Sequence, residues 1–84
     1  MLFLFSTTLF VQKNPVLYNV FIDNLTGKFF FEPNKYTTRA LYPPSFYTIR
    51  QGGKWVFDGI TDCELKDQAI DDIRFYMDVE PIPE

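Results

Sequence analysis

The 84-residue sequence predicts an α+β fold, an antiparallel sheet of about five strands built from hairpins with one C-terminal amphipathic helix packed on one face. Three observations predict it. Alternating apolar runs, broken by turn residues, fill positions 1–59 and read as strands. Gly52-Gly53 lies between two such runs and suits a two-residue turn with positive φ. Thr61-Asp62-Cys63-Glu64 stands ahead of a 3.6-residue apolar stripe and reads as a helix start.

The elements follow in order. Met1–Gln12 is the first expected strand, with Phe3, Phe5, Thr7, Leu9 and Val11 on one parity and Leu2, Leu4 and Phe10 on the other. Asn14-Pro15 is expected to turn the chain. Val16–Asp23 is the next strand, with Val16, Tyr18, Val20 and Ile22 on one side. Gly27 suits the left-handed position of a short hairpin loop, and Lys28–Glu32 returns. Lys35–Tyr42 reads as a weak strand or ordered loop, ended by Pro43-Pro44. Phe46–Gln51 and Lys54–Asp58 form the clearest hairpin. Its turn sets Arg50 opposite Trp55, Ile49 opposite Val56 and Thr48 opposite Phe57, with Arg50 stacked on the Trp55 ring.

The helix is expected over about 62–78, with a Pro-containing tail over 79–84. Thr61 is the expected N-cap and Glu64 its N3 partner, and Ile60 and Leu65 form a hydrophobic staple. Leu65, Ala69, Ile70, Ile73, Tyr76 and Met77 fall within about 140° on a helical wheel and make the core face. Glu64, Asp67, Asp71 and Asp78 share the opposite side, and Phe75 falls among them.

Composition bounds the function. A chain of this length is one domain, 1–84. Its single cysteine, Cys63, allows no internal disulfide, which suits a reducing compartment and a cytoplasmic location. There is no histidine, so the usual neutral-pH acid/base and the commonest metal ligand are both missing. No run approaches the roughly 18 apolar residues of a membrane span, and the apolar start Met1–Phe5 lacks the basic region of a signal peptide. Aromatics make up 19% of the chain, more than one helix can cover. Charge is divided: positions 1–57 hold six basic and two acidic groups, and positions 58–84 hold two basic and nine acidic groups.

No motif for catalysis appears. Asp71 and Asp72 diverge by 100° around the helix and make no shared-proton dyad. Cys63 has no histidine to activate it, and Asp62 and Glu64 oppose its thiolate. Gly52-Gly53 precedes no lysine-serine/threonine pair and is not a phosphate loop. Asp67, Asp71 and Asp78 share a helix face but lack the loop ligands of a calcium site. The reading is a non-enzyme with neither cofactor nor metal.

Two binding surfaces are expected. One is the acidic helix face, with Phe75 as an apolar anchor and Asp67, Asp71 and Asp78 around it, suited to a basic protein surface. The other is an aromatic and basic sheet face of Lys28, Phe29, Phe31, Arg50 and Trp55, suited to a small ligand or to single-stranded nucleic acid. The sequence pI of about 4.7 disfavours a polyanion. The strands carry large apolar groups on both parities, so the second sheet face needs its own cover. Three covers are open: a sheet curled into a partial barrel, strands paired across a dimer, or a docked partner. The leading expectation is a small protein-interaction domain that can form a homodimer, and the alternative is the ligand- or nucleic-acid-binding domain.

Overall fold

The computed structural model describes residues 1–34 and 43–77. The chain runs β1 (Leu2–Val11), β2 (Asn14–Asp23), β3 (Lys28–Pro33), β4 (Phe46–Gln51), β5 (Lys54–Asp58) and α1 (Cys63–Met77). The five strands form one antiparallel meander in the order β1-β2-β3-β4-β5. Among the described residues β1 and β5 are its edges, and the sheet they bound is open rather than closed into a barrel. The expected weak strand at 35–42, Asp78 and the tail at 79–84 lie outside the described residues.

The period-2 pattern decides which side is core. Phe5, Thr7 and Leu9 of β1 lie opposite Val20, Tyr18 and Val16 of β2. Phe31 pairs with Val20 and with Phe46, which continues the same face through β3 and β4. These residues are buried, together with Phe29 and Thr48. Leu65, Ala69 and Ile73 of α1 close over them, each at 1% exposure or less. Burying a side chain such as Leu65 or Ile73 contributes about 2 kcal/mol. The rings interlock as well: Phe31 stacks on Phe46 at 4.7 Å, and Tyr18 meets Phe46 edge-on at 5.6 Å.

The helix lies along β1 and antiparallel to it. Tyr76 stacks on Phe5 at 4.3 Å, Asp72 accepts the Thr7 hydroxyl at 2.6 Å, and Gln68 reaches the backbone of Phe10. With 15 residues, the helix is about 22 Å long and spans most of the strand.

Three sequence expectations need correction. The first is the turn at Asn14-Pro15. Gln12 and Lys13 take positive φ (51° and 69°) and form the two-residue turn, while Asn14 and Pro15 already pair with Val11 and Phe10. The Asn14 amide donates to the Gln12 carbonyl at 3.2 Å and braces this turn. Pro15 is tolerated because β3 ends opposite Tyr18, so no neighbour there needs its N–H.

The second is the parity of β1. The register shifts between Phe3 and Phe5. Leu4 is the extra residue of this bulge, and Phe3 moves to the opposite face from Phe5. The third is the helix cap. Asp62 rather than Thr61 is the N-cap: its Oδ1 accepts the Glu64 N–H at 2.9 Å and its carbonyl accepts the Lys66 N–H at 3.1 Å. Asp caps at least as well as Thr, and this register seats Leu65 in the core.

The remaining hairpins form as their residues dictate. Gly52 and Gly53 take φ of 58° and 79°, and Arg50, Ile49 and Thr48 pair with Trp55, Val56 and Phe57. In the β2–β3 loop Gly27 has φ 80°, and its N–H donates to the Asp23 carbonyl at 2.7 Å. The Leu25 N–H donates to the Asp23 carboxylate at 3.0 Å. That bond, foremost, holds the Asp23 carboxyl below the usual carboxylate range.

Candidate functional site

The helix covers one face of the sheet, and the other face carries a row of rings. The register sets Phe3 opposite Phe21, Phe21 opposite Phe30, Phe30 opposite Tyr47, and Tyr47 opposite Asp58. One line therefore crosses all five strands. Phe3 meets Phe21 edge-on at 5.6 Å, and Phe30 tilts against Tyr47 at 5.4 Å. No described element packs on this row. Phe3 is 52% exposed, and Val56 and Phe10 on the same face are 45% and 53% exposed. Phe21, Phe30 and Tyr47 are half-buried.

Polar groups frame the row. Lys28 holds its Nζ 4.5 Å from the Tyr47 ring centre. The Tyr47 hydroxyl bonds to the Asp58 carboxylate, and that bond raises the phenol above its ordinary range. On the other side Ser6 donates to Asn19 at 2.8 Å and Ser45 donates to Glu32 at 3.3 Å. By strand parity Lys28 and Lys54 share this face with Asp23, Glu32 and Asp58, which leaves it close to neutral.

The expected aromatic and basic face does not form one surface. Phe31 is fully buried and Phe29 is 9% exposed, both under the helix side of the sheet. Trp55 and Arg50 are on that side too. Arg50 does stack on Trp55, at 5.9 Å, and Phe29 lies 6.0 Å from the same ring. The Trp55 indole N–H is buried and has no partner among the described residues. Lys28 alone of the five lies on the outer face, beside Phe30 and Tyr47. Those outward rings were readable in the sequence, because Lys28, Phe30 and Glu32 share one parity and the charged pair marks it as the solvent side.

The acidic helix face is arranged as expected over its described part, but Tyr76 and Met77, expected in the core face, are exposed. Asp67, Asp71 and Phe75 recur at four-residue spacing, and all three are exposed. Phe75 is 78% exposed and rests edge-on against Tyr76 at 5.1 Å. Met1 and Leu2 are also exposed, at 76% and 55%. Asp72 diverges from Asp71 toward Thr7, as the helical angle requires. Cys63 is exposed in the first helical turn.

Candidates for chemistry are few. A groove of about 490 Å³ runs beside Val11, Pro44, Phe57, Ile60 and Leu65. Its Asp62 is already engaged as the helix cap. Among the described residues no three carboxylates or thiols gather as a metal site, and no helix is long and apolar enough to cross a membrane. No protein-family model matches the chain, and comparison with curated proteins and with solved structures finds no significant match.

Proposed function

We propose that this chain is a non-enzymatic interaction domain that docks a protein partner on the outer face of its sheet. One observation carries the reading: Phe3, Phe21, Phe30 and Tyr47 stand opposite one another in register across four neighbouring strands, on the face opposite the helix. A sheet face on which no described element packs, with a line of large rings and a polar rim, has the composition of an interface core. Its mixed charges suit a protein surface better than a polyanion backbone.

The helix stripe of Asp67, Asp71 and Phe75 is a second and smaller surface, fitted to a basic partner. The two surfaces separate by mutation. Phe30→Thr with Tyr47→Thr strips the sheet face while keeping β-forming residues, and Phe75→Ser strips the helix face. Partners captured by the intact protein, lost by the sheet variant and kept by the helix variant support the reading. Equal capture by all three proteins refutes it.

A ligand- or base-stacking surface is the second reading, favoured by Lys28 lying over Tyr47 beside Phe30. The NMR signal of the Tyr47 ring reports on it, since Trp55 lies on the other face. Short oligonucleotides at low salt that leave this signal unchanged remove the nucleic-acid version.

A further inference from the structure

We infer that the occupant of the outer sheet face is a second copy of this chain, packed face to face about a two-fold axis that runs along the aromatic row. This rests on the reading of that face as a docking surface and adds the partner and its geometry.

Charge complementarity on the central strand selects this occupant. Lys28, Phe30 and Glu32 are alternate residues of β3, the middle strand of the sheet, and all three point outward. Lys28 and Glu32 lie about 7 Å to either side of Phe30 along the strand. A two-fold axis in the interface, perpendicular to the strands and through the row, sets β3 on β3 in reversed direction. Phe30 then meets Phe30, and Lys28 of each copy faces Glu32 of the other. An axis parallel to the strands instead sets Lys28 on Lys28 and Glu32 on Glu32. The aromatic row is common to both arrangements, so the charges choose between them.

The flanks are compatible with this choice. Asp23 of one copy faces the uncharged Asn19 of the other, and Ile49 faces Ser45. Asp58 faces its own copy, but it sits at an edge strand and is tied to Tyr47. The twist of an aligned sandwich, about 30°, carries such edge positions to the solvated rim.

The area is sufficient. Five strands about 4.8 Å apart give a face about 24 Å wide, and the outward residues extend about 20–25 Å along it. Two such faces bury about 1,000–1,200 Å², at the threshold of a specific interface.

The test is light scattering and sedimentation on the full chain over a concentration series, with circular dichroism to verify each fold. The wild type should dimerise. Lys28→Glu alone and Glu32→Lys alone should each weaken the dimer at least tenfold, because each sets like charges together twice. Mixing the two single variants should restore a dimer of near wild-type strength, since both contacts are then opposite in sign. Phe30→Thr should weaken self-association in every background.

A monomeric wild type at 100 µM overturns the proposal, whatever the variants do. So do single variants that dimerise as well as the wild type, or folded single variants whose mixture stays monomeric. A monomer that captures a different protein, or an oligonucleotide, through Phe30 and Tyr47 also overturns it. Capture of a different protein would leave the docking surface of the preceding section standing.

Discussion

The Gln68 side chain and the Phe10 backbone exchange two hydrogen bonds: Oε1 accepts the Phe10 N–H at 2.8 Å, and Nε2 donates to the Phe10 carbonyl at 3.0 Å. β1 is an edge strand, and at Phe10 its free backbone groups point away from β2. One glutamine thus stands in for a residue of a neighbouring strand. It fixes the helix to the sheet edge and denies that stretch of edge to another chain.

Replacing Gln68 with Ala should cost about 1 kcal/mol, because the freed groups can turn to water. For a domain of this size that is a drop of about 4–8 °C in Tm. Gln68→Asn, one methylene too short, should lose as much. Thermal melts check this, and a melt unchanged by either substitution would show that the two bonds contribute nothing. Slower migration at high concentration should accompany the loss, as the edge becomes available.

Asp62 and Thr61 separate cleanly by mutation. Asp62→Ala removes the acceptor for the Glu64 N–H and should cost about 1 kcal/mol in urea unfolding. Thr61→Ala should cost no more than a few tenths. The reverse order would restore Thr61 as the cap.

These two sites show where the sequence was legible and where it was not. Lys54–Asp58 and its pairing with Phe46–Gln51 were readable to the residue, because only one register is compatible with two glycines at positive φ. Leu65, Ala69 and Ile73 were readable as core from spacing alone. The cap slipped by one position because Thr61 and Asp62 are both good caps, and only the seating of Leu65 decides between them. Phe3 was misplaced because a bulge breaks period 2 without a signature residue at Leu4. The β1 turn was missed because Gln12 and Lys13 carry no turn signal, and Asn14-Pro15 beside them carries a strong one. At the candidate site the rings of Lys28–Glu32 are three consecutive Phe, so hydrophobicity cannot choose a face. The flanking charges could have chosen it.

Gly59 should be less replaceable than Gly27 or Gly52. It has φ of +103°, and a Cβ there would lie 2.8 Å from the Ser45 carbonyl oxygen and 3.0 Å from the Phe46 Cα. Both are backbone atoms at the start of β4 and cannot turn aside. Gly27 has φ of +80° but nothing within 4 Å of a Cβ. Gly27→Ala should therefore cost only the conformational term, about 1 kcal/mol, and Gly59→Ala should cost about 3 kcal/mol or more. Urea midpoints of the two variants make the comparison. Equal midpoints would mean that the β5–α1 connection moves away from β4 without penalty.

Tyr18 gives the fold a dependence on alkaline pH. Its ring is fully buried, and its hydroxyl donates to the Pro44 carbonyl at 2.8 Å. Burial pushes its pKa up from 10.0 to about 12. The native state thus keeps the phenol proton after the unfolded chain has lost it. Stability from this group is fully present below pH 10 and is lost as pH rises from there through about 12. The loss should be on the order of 2 kcal/mol, the scale of a pKa rise from 10.0 to about 12. Tyr47, raised by Asp58, acts in the same direction. Tyr18→Phe should be less stable at neutral pH by about 1 kcal/mol, since the Pro44 carbonyl loses its donor. It should also lose less between pH 10 and 12, so the two stability curves converge. Urea unfolding at several pH values from 8 to 12 measures both slopes, and parallel curves would show that Tyr18 ionises as easily in the fold as in the unfolded chain.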